Sequence, residues 1–179
     1  VDPNPQVAGK GLELLKSAGI DVQVSQDDCG AGDLNAGYCQ RMVGGRPLVR
    51  LKLAATLDGR TAANDGTSQW ITGEEARAEV HQLRARSCAI VTGIGTVRED
   101  DPRLNARIDG QVVQPLRVVL DGNGQLDPGA RLFSETGDVL IVTSREDDEG
   151  FDFDARTEQI CLTGEDGRVD ISAVLDLLA

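Results

Sequence analysis

Few residues in this 179-residue chain are of a type and spacing suited to chemistry. Lys52 interrupts an apolar run, Leu51-Lys52-Leu53-Ala54-Ala55. An ammonium at mid-strand either snorkels to solvent or points into a site. Thr92-Gly93-Ile94-Gly95-Thr96 follows a run that reads as a buried strand and precedes a helix start. Glycines at such a turn let backbone N–H groups approach an anion, and a helix N-terminus adds a favourable dipole. The same residues also make an ordinary tight turn, since the third glycine and downstream acid of a dinucleotide fingerprint are absent. Ser68-Gln69-Trp70 puts the only tryptophan in a polar loop, where its ring can anchor that loop to the core. Glu99-Asp100-Asp101-Pro102 reads as a solvated turn closed by Pro102, and Arg84 and Arg107 are ordinary surface arginines until something brings them together.

Metal chemistry is poorly supplied. The one histidine, His81, and four cysteines, Cys29, Cys39, Cys88 and Cys161, fall at spacings that match no zinc or redox motif. They read as reduced structural thiols of a cytoplasmic protein, with no metal expected. No apolar run approaches membrane-span length, and Val1-Asp2-Pro3-Asn4-Pro5 is unlike a signal peptide. A net charge of −12 argues against nucleic acid or an anionic membrane as partner. Residues 41–107 nevertheless carry 11 basic and 8 acidic side chains between acidic flanks. A locally positive centre suits a small anionic ligand, although charge also fluctuates along chains and this pattern alone does not decide the matter.

These residues need elements to position them, and the periodicity supplies an α/β alternation. A helix is expected over 5–19, with Val7, Leu12, Leu15 and Ala18 as its stripe and Gly19 as its C-terminal cap. Ile20–Val24 alternates as a short strand. Residues 26–46, polar and glycine-rich, read as an interdomain connection with a short helix around Leu34–Met42. From Leu48, Val49, Leu51, Leu53 and Ala55 share the buried face of a strand, with Arg50, Lys52 and Ala54 opposite. Asp58-Gly59 makes a turn. Thr72-Gly73-Glu74-Glu75 is a capping box opening a helix with Ala76, Val80 and Leu83 buried. Strands are expected at Cys88–Val91, Leu116–Asp121, Asp138–Thr143 and Glu158–Leu162, the second closed by Gly122-Asn123-Gly124. Asp170 caps a last helix bearing Ile171, Val174, Leu175 and Leu178 on one face. The chain opens on half an α/β unit and stops on a helix with no strand after it. Both ends are therefore expected to be cuts in a longer enzyme, leaving a sheet edge open to self-association and a homo-oligomer.

The order of several segments is more specific than any one of them. Leu51 to Ala62, Ser68-Gln69-Trp70-Ile71-Thr72, Leu83-Arg84-Ala85, Thr92 to Val97 and Asp100-Asp101-Pro102-Arg103-Leu104 together closely resemble the reductase domain of the bifunctional riboflavin-biosynthesis deaminase/reductase. Asp2-Pro3-Asn4-Pro5 with Val7 to Gly11 is similar to the tail of that family's deaminase domain. The resemblance implies a deaminase remnant over 1–25, a connection over 26–46, and a dihydrofolate-reductase-like α/β reductase domain over 47–179. It implies hydride transfer from NADPH to the ribose C1′ of 5-amino-6-(5-phosphoribosylamino)uracil, giving the ribitylamino product. By matching positions, Ala54, Trp70, Thr96, Asp100 and Gly122 would contact the cofactor, and Ser68, Arg84, Leu104 and Arg107 the substrate. Lys52 falls beside the reacting sugar, where it would donate a proton as the ring opens, with Asp100 holding a ribose hydroxyl or ordering Lys52. Guanidinium forks at Arg84 and Arg107 suit a phosphoribosyl group.

The chain also departs from that family. The His-Ala-Glu and Pro-Cys…Cys motifs that bind zinc in the deaminase do not occur, so zinc would belong only to the missing deaminase part. The strand, Gly-Gly turn and acidic residue that complete the family's reductase are absent as well. Two other readings remain at this point. One is a dihydrofolate-reductase-like enzyme acting on another pteridine or pyrimidine, and the other is a catalytically inactive, truncated domain that pairs with a partner chain.

Overall fold

Val118-Val119-Leu120 and Val139-Leu140-Ile141-Val142 are uninterrupted apolar runs, the pattern of strands covered on both faces. In the computed structural model of the chain they form the centre of a four-stranded parallel sheet. Residues 1–25, 30–110, 113–145, 153 and 155–179 are described. Asp27-Asp28-Cys29 of the expected interdomain connection lies outside them. The sheet runs β1 (Ala89–Gly93), β2 (Leu116–Leu120), β3 (Val139–Thr143) and β4 (Thr157–Cys161), in that spatial order. Val91 pairs with Val118, Val118 with Leu140 and Leu140 with Glu158. β3 is buried throughout, while the edge strands are only partly covered.

The chain divides into two compact units, Val1–Leu51 with Ser172–Ala179, and Lys52–Ile171. The first contains α1 (Lys10–Ser17), α2 (Ala31–Leu34), α3 (Ala36–Gly44) and most of α6 (Ile171–Leu177). Gly19, with φ 77°, ends α1 as expected: its N–H donates to Lys16 O and that of Ile20 donates to Leu15 O. Only glycine takes that left-handed position without strain, and the two bonds satisfy carbonyls left open at the helix end. Arg46 ties the unit together, donating through Nε and Nη2 to the two Asp176 carboxylate oxygens at 2.7 and 3.0 Å.

The second unit holds α4 (Glu74–Ala85), α5 (Ile94–Asp100) and the sheet. Its core is Val97, Leu104, Val119, Leu126, Leu132, Val139 and Ile141, with Phe133 and Phe153 stacked beside it at 5.3 Å. No helix of the described residues is long and apolar enough to cross a membrane.

Several expected elements differ. α1 begins at Lys10 and buries none of its residues, so the stripe Val7, Leu12, Leu15, Ala18 is not a core face. Ile20–Val24 is not a strand, and neither is 48–55. Leu51 is 82% exposed and Leu53 74%, where both were expected to be buried. Alternation specifies which side chains share a face, but a strand also needs a ladder partner for its backbone. Among the described residues, 47–55 make no backbone hydrogen bond. The capping box is not formed either. Gly73 is the N-cap of α4 and offers no side chain, and the Thr72 carbonyl accepts a bond from Arg77 Nη1 instead. Ala76, expected in the buried stripe, is exposed, whereas Arg77 and His81 are half-buried.

The sheet hides one residue that its apolar neighbours conceal. Arg117, the second residue of β2, is 1% exposed. Its guanidinium donates to the carbonyls of Leu132, Glu135, Thr136, Gly137 and Asp138. Those carbonyls belong to the 3-10 segment Arg131–Ser134, through Leu132, and to the turn that leads from it into β3. A planar fork with five donors can satisfy such a ring of acceptors, and an ammonium cannot. Arg117→Leu strands several buried carbonyls and should cost about 3 kcal/mol or more in urea unfolding, with Arg117→Lys recovering less than half. A loss under about 1 kcal/mol for Arg117→Leu would show that the turn holds itself.

Candidate functional site

α4 presents an unusual half-buried face. Arg77, His81 and Arg84 are spaced i, i+4, i+7, so they line one side of the helix. The segment Leu104–Arg107 faces them. Arg84 Nη1 donates to the Asn105 carbonyl at 3.1 Å, and Arg107 Nη1 donates to Asn105 Oδ1 at 2.8 Å. The Arg107 backbone N–H donates to His81 Nδ1 at 3.2 Å. Asn105 is 7% exposed, and its Nδ2 donates to Glu135 Oε2 at 2.8 Å. The other Glu135 oxygen accepts from Arg103 at 2.9 Å. Gln114 holds Ala106 by its N–H and its carbonyl together.

Each residue of this short segment is therefore fixed. Leu104 is buried in the core and sits at φ 52°, a left-handed conformation that costs a leucine energy. Its side chain faces the interior, so any contact it makes with a ligand is through its backbone.

The electrostatics follow from the geometry. Among the described residues, neither Arg84 nor Arg107 pairs with a carboxylate. Burial, and after it the nearby Arg107, lowers the pKa of Arg84. Burial also lowers that of His81, helped by Arg107 and then Arg84. Two guanidiniums are thus held close by neutral acceptors, with no anion from the chain between them. That arrangement suits an oxyanion such as a phosphate.

The opposite end of the sheet gathers another group. Gly93 and Leu120 are register partners at the carboxyl ends of β1 and β2. Helix α5, beginning at Ile94, and the turn beginning at Asp121 therefore leave the sheet side by side, at the edge where open α/β sheets bind ligands. Thr96 lies in the first turn of α5 and Asp100 is its last residue, both exposed, while Gly122 follows Asp121. A side chain added at Gly93 or Gly95 would meet nothing within 4 Å, so the backbone there is open to approach. At Gly122 a Cβ would come within 3.2 Å of Ser144 Oγ, which donates to the Gly122 carbonyl. A side chain at 122 would therefore crowd Ser144, which would have to give by a few tenths of an ångström. Asp121 is buried, with Oδ2 accepting the Leu126 N–H at 2.7 Å and Oδ1 unpartnered among the described residues.

The remaining expected residues lie in 52–70. Lys52 is exposed and, among the described residues, makes no hydrogen bond or ion pair, so the structure does not join it to Asp100. Ala54 and Ser68 are half-buried. Trp70 is 72% exposed rather than a core anchor, and Arg77 lies 4.6 Å over its ring. No cluster of three metal-ligating side chains occurs among the described residues. Sequence reasoning missed Asn105, His81 and Glu135 as members of the arginine site. The one available signal was the spacing of Arg77, His81 and Arg84 on a helix face.

As the only histidine, His81 gives an unambiguous imidazole signal. Its pKa should lie below the ordinary value of about 6.5. With a depressed folded value, its contribution to stability is complete above that pH and is lost as pH falls through the lower value. NMR titration checks this, and a ring that titrates above 6.5 would place a carboxylate, not arginines, beside it.

Comparison with known proteins places this geometry in context. The chain is 39% identical to the riboflavin biosynthesis protein RibD of Escherichia coli, over 97% of this chain and 50% of that one. It is 43% identical to RibD of Haemophilus influenzae, over 82% of this chain and 43% of that one. The chain thus spans about half the length of these relatives. Its fold matches Acinetobacter baumannii RibD with a TM-score of 0.85 at 39% identity, covering 99% of this chain and 49% of that one. It matches a Thermotoga maritima diaminohydroxyphosphoribosylaminopyrimidine deaminase/5-amino-6-(5-phosphoribosylamino)uracil reductase at 0.83 and 34%, covering 99% and 48%. The dihydrofolate-reductase-like α/β fold expected from residue 47 onward is the fold of these solved neighbours. The family of the RibD C-terminal domain matches residues 47–179, and the chain belongs to it.

Proposed function

We propose that this chain supplies the reductase chemistry of riboflavin biosynthesis: NADPH-dependent reduction of 5-amino-6-(5-phosphoribosylamino)uracil to its ribitylamino product. The observation that carries the reading is the pair Arg84 and Arg107, bonded to one buried asparagine and paired with no carboxylate among the described residues. A pyrimidine or pteridine without a phosphate gives no reason for two such cations. In this reading residues 1–25 belong to the deaminase side of a longer enzyme, and no zinc is required of this chain.

The residues at the carboxyl edge of the sheet fit a dinucleotide. Gly93 and Gly95 leave their backbone open, and the exposed Trp70 offers a flat apolar face that Arg77 steadies. Thr96, Asp100 and Gly122 would hold the cofactor there, with Ala54 and Trp70 contributed by the 52–70 segment. Bound NADPH supplies the hydride. The substrate phosphate sits between Arg84 and Arg107, with Ser68 and the Leu104 backbone beside the sugar. Lys52, an exposed ammonium with no partner among the described residues, donates a proton toward the ring oxygen or C2′ hydroxyl as the sugar opens.

Titration with NADPH should change Trp70 fluorescence saturably. In the active enzyme, Lys52→Ala should lower turnover about 10²–10³-fold with little effect on either affinity, because it removes an interaction strongest in the transition state. Arg84→Ala should instead weaken substrate binding by about 2–4 kcal/mol and leave NADPH affinity alone. Near-normal turnover of a folded Lys52→Ala protein would end the proton-donor role. Unchanged substrate affinity in Arg84→Ala would end the phosphate site.

A further inference from the structure

We infer that Asn105 is a positioning residue that aims Arg107 at the bound phosphate and keeps the Glu135 carboxylate from neutralising it. This rests on the reading of Arg84 and Arg107 as the phosphate site. Asn105 lies between opposite charges. One end of its side-chain amide donates to Glu135 Oε2 at 2.8 Å and the other accepts from Arg107 Nη1 at 2.8 Å. A neutral amide satisfies both groups and joins neither to the other. Were the carboxylate itself on Arg107, a phosphate would have to displace an ion pair before it could bind.

The remaining contacts support the same role. Asn105 also receives Arg84 Nη1 on its backbone carbonyl, so one residue sets the position of both guanidiniums. Glu135 is occupied on its second oxygen by Arg103, which holds the carboxylate on the far side of the amide. His81 Nδ1 takes the Arg107 N–H, and Gln114 clamps Ala106, so the backbone at 105–107 cannot swing to bring Glu135 and Arg107 together. Asn105 itself is buried and displays little to solvent, so it acts on the ligand through the arginines. Arginine side chains carry many rotamers, and holding them in advance lowers the entropy lost when an anion binds.

The test is calorimetric titration of the full chain with ribose 5-phosphate, using Trp70 fluorescence with NADPH as a control. Asn105→Asp is nearly isosteric and still accepts from Arg107, but it loses the donor to Glu135 and sets two carboxylates together, so NADPH binding is read beside it as the check that the fold is kept. The positioning role predicts about a tenfold loss of ribose 5-phosphate affinity, with NADPH binding little changed. The loss should vanish when Arg107 is already alanine, since the two residues act on one interaction. Asn105→Thr, whose hydroxyl is neutral and can both donate and accept, should stay within about threefold of the parent, whereas Asn105→Ala should lose as much as Asn105→Asp. If Asn105→Asp does not fold, the contrast between Thr and Ala decides.

Parent-like affinity in Asn105→Asp, or equal loss in the Thr and Ala variants, overturns the inference while Arg107→Ala can still confirm the phosphate site. If the parent chain binds no ribose 5-phosphate, or binds it equally well in Arg107→Ala, the phosphate site falls and this inference falls with it.

Discussion

Arg117 is the constraint on which the arginine site depends. Taking a guanidinium out of water costs several kcal/mol unless its donors are met, and here five backbone carbonyls meet them. Burial lowers its pKa and Arg156 adds to that, while Glu135 and Asp138 oppose it. The carbonyls belong to one short stretch, the 3-10 segment and the turn after it, so satisfying Arg117 fixes the path of residues 132–138. That path places the Glu135 carboxylate, which orients Asn105 and Arg103. Asn105 in turn sets Arg84 and Arg107. A positive site at the protein surface is thus built outward from a cation sealed inside the sheet, through one acidic residue and one amide.

Asymmetry of satisfaction is what suits the arginine site to an anion. Arg117 has a carbonyl for each of its five donors. Arg84 and Arg107 have neutral partners, no carboxylate among the described residues, and each other's charge. At the other end of the sheet, Asp121 keeps one oxygen unpartnered among the described residues beside open glycine backbone. The molecule keeps its unmet polar capacity at the two ends of the layer that packs the core, which is where elongated polar ligands can reach it.

Parts of this were legible in the amino-acid sequence for a physical reason. Central parallel strands are covered on both faces, so β2 and β3 appear as plain apolar runs, and Gly19 could be read because only a left-handed position makes glycine necessary there. The expected strands at 20–24 and 48–55 failed because alternation describes a face and says nothing of a ladder partner. Arg117 was invisible inside an apolar strand, since its acceptors are backbone carbonyls that any sequence would provide. Arg84 and Arg107 drew notice only through resemblance to a family, and Asn105 drew none, because an amide has no chemistry of its own. Its importance lies in which charges it separates, a property that exists only after folding.

The most direct test of the account is a crystal structure of the chain grown with ribose 5-phosphate. The account places the phosphate within hydrogen-bonding distance of both the Arg84 and Arg107 guanidiniums, with Asn105 still bonded to Arg107 and to Glu135. A phosphate bound elsewhere, or Glu135 paired directly with Arg107, would contradict it.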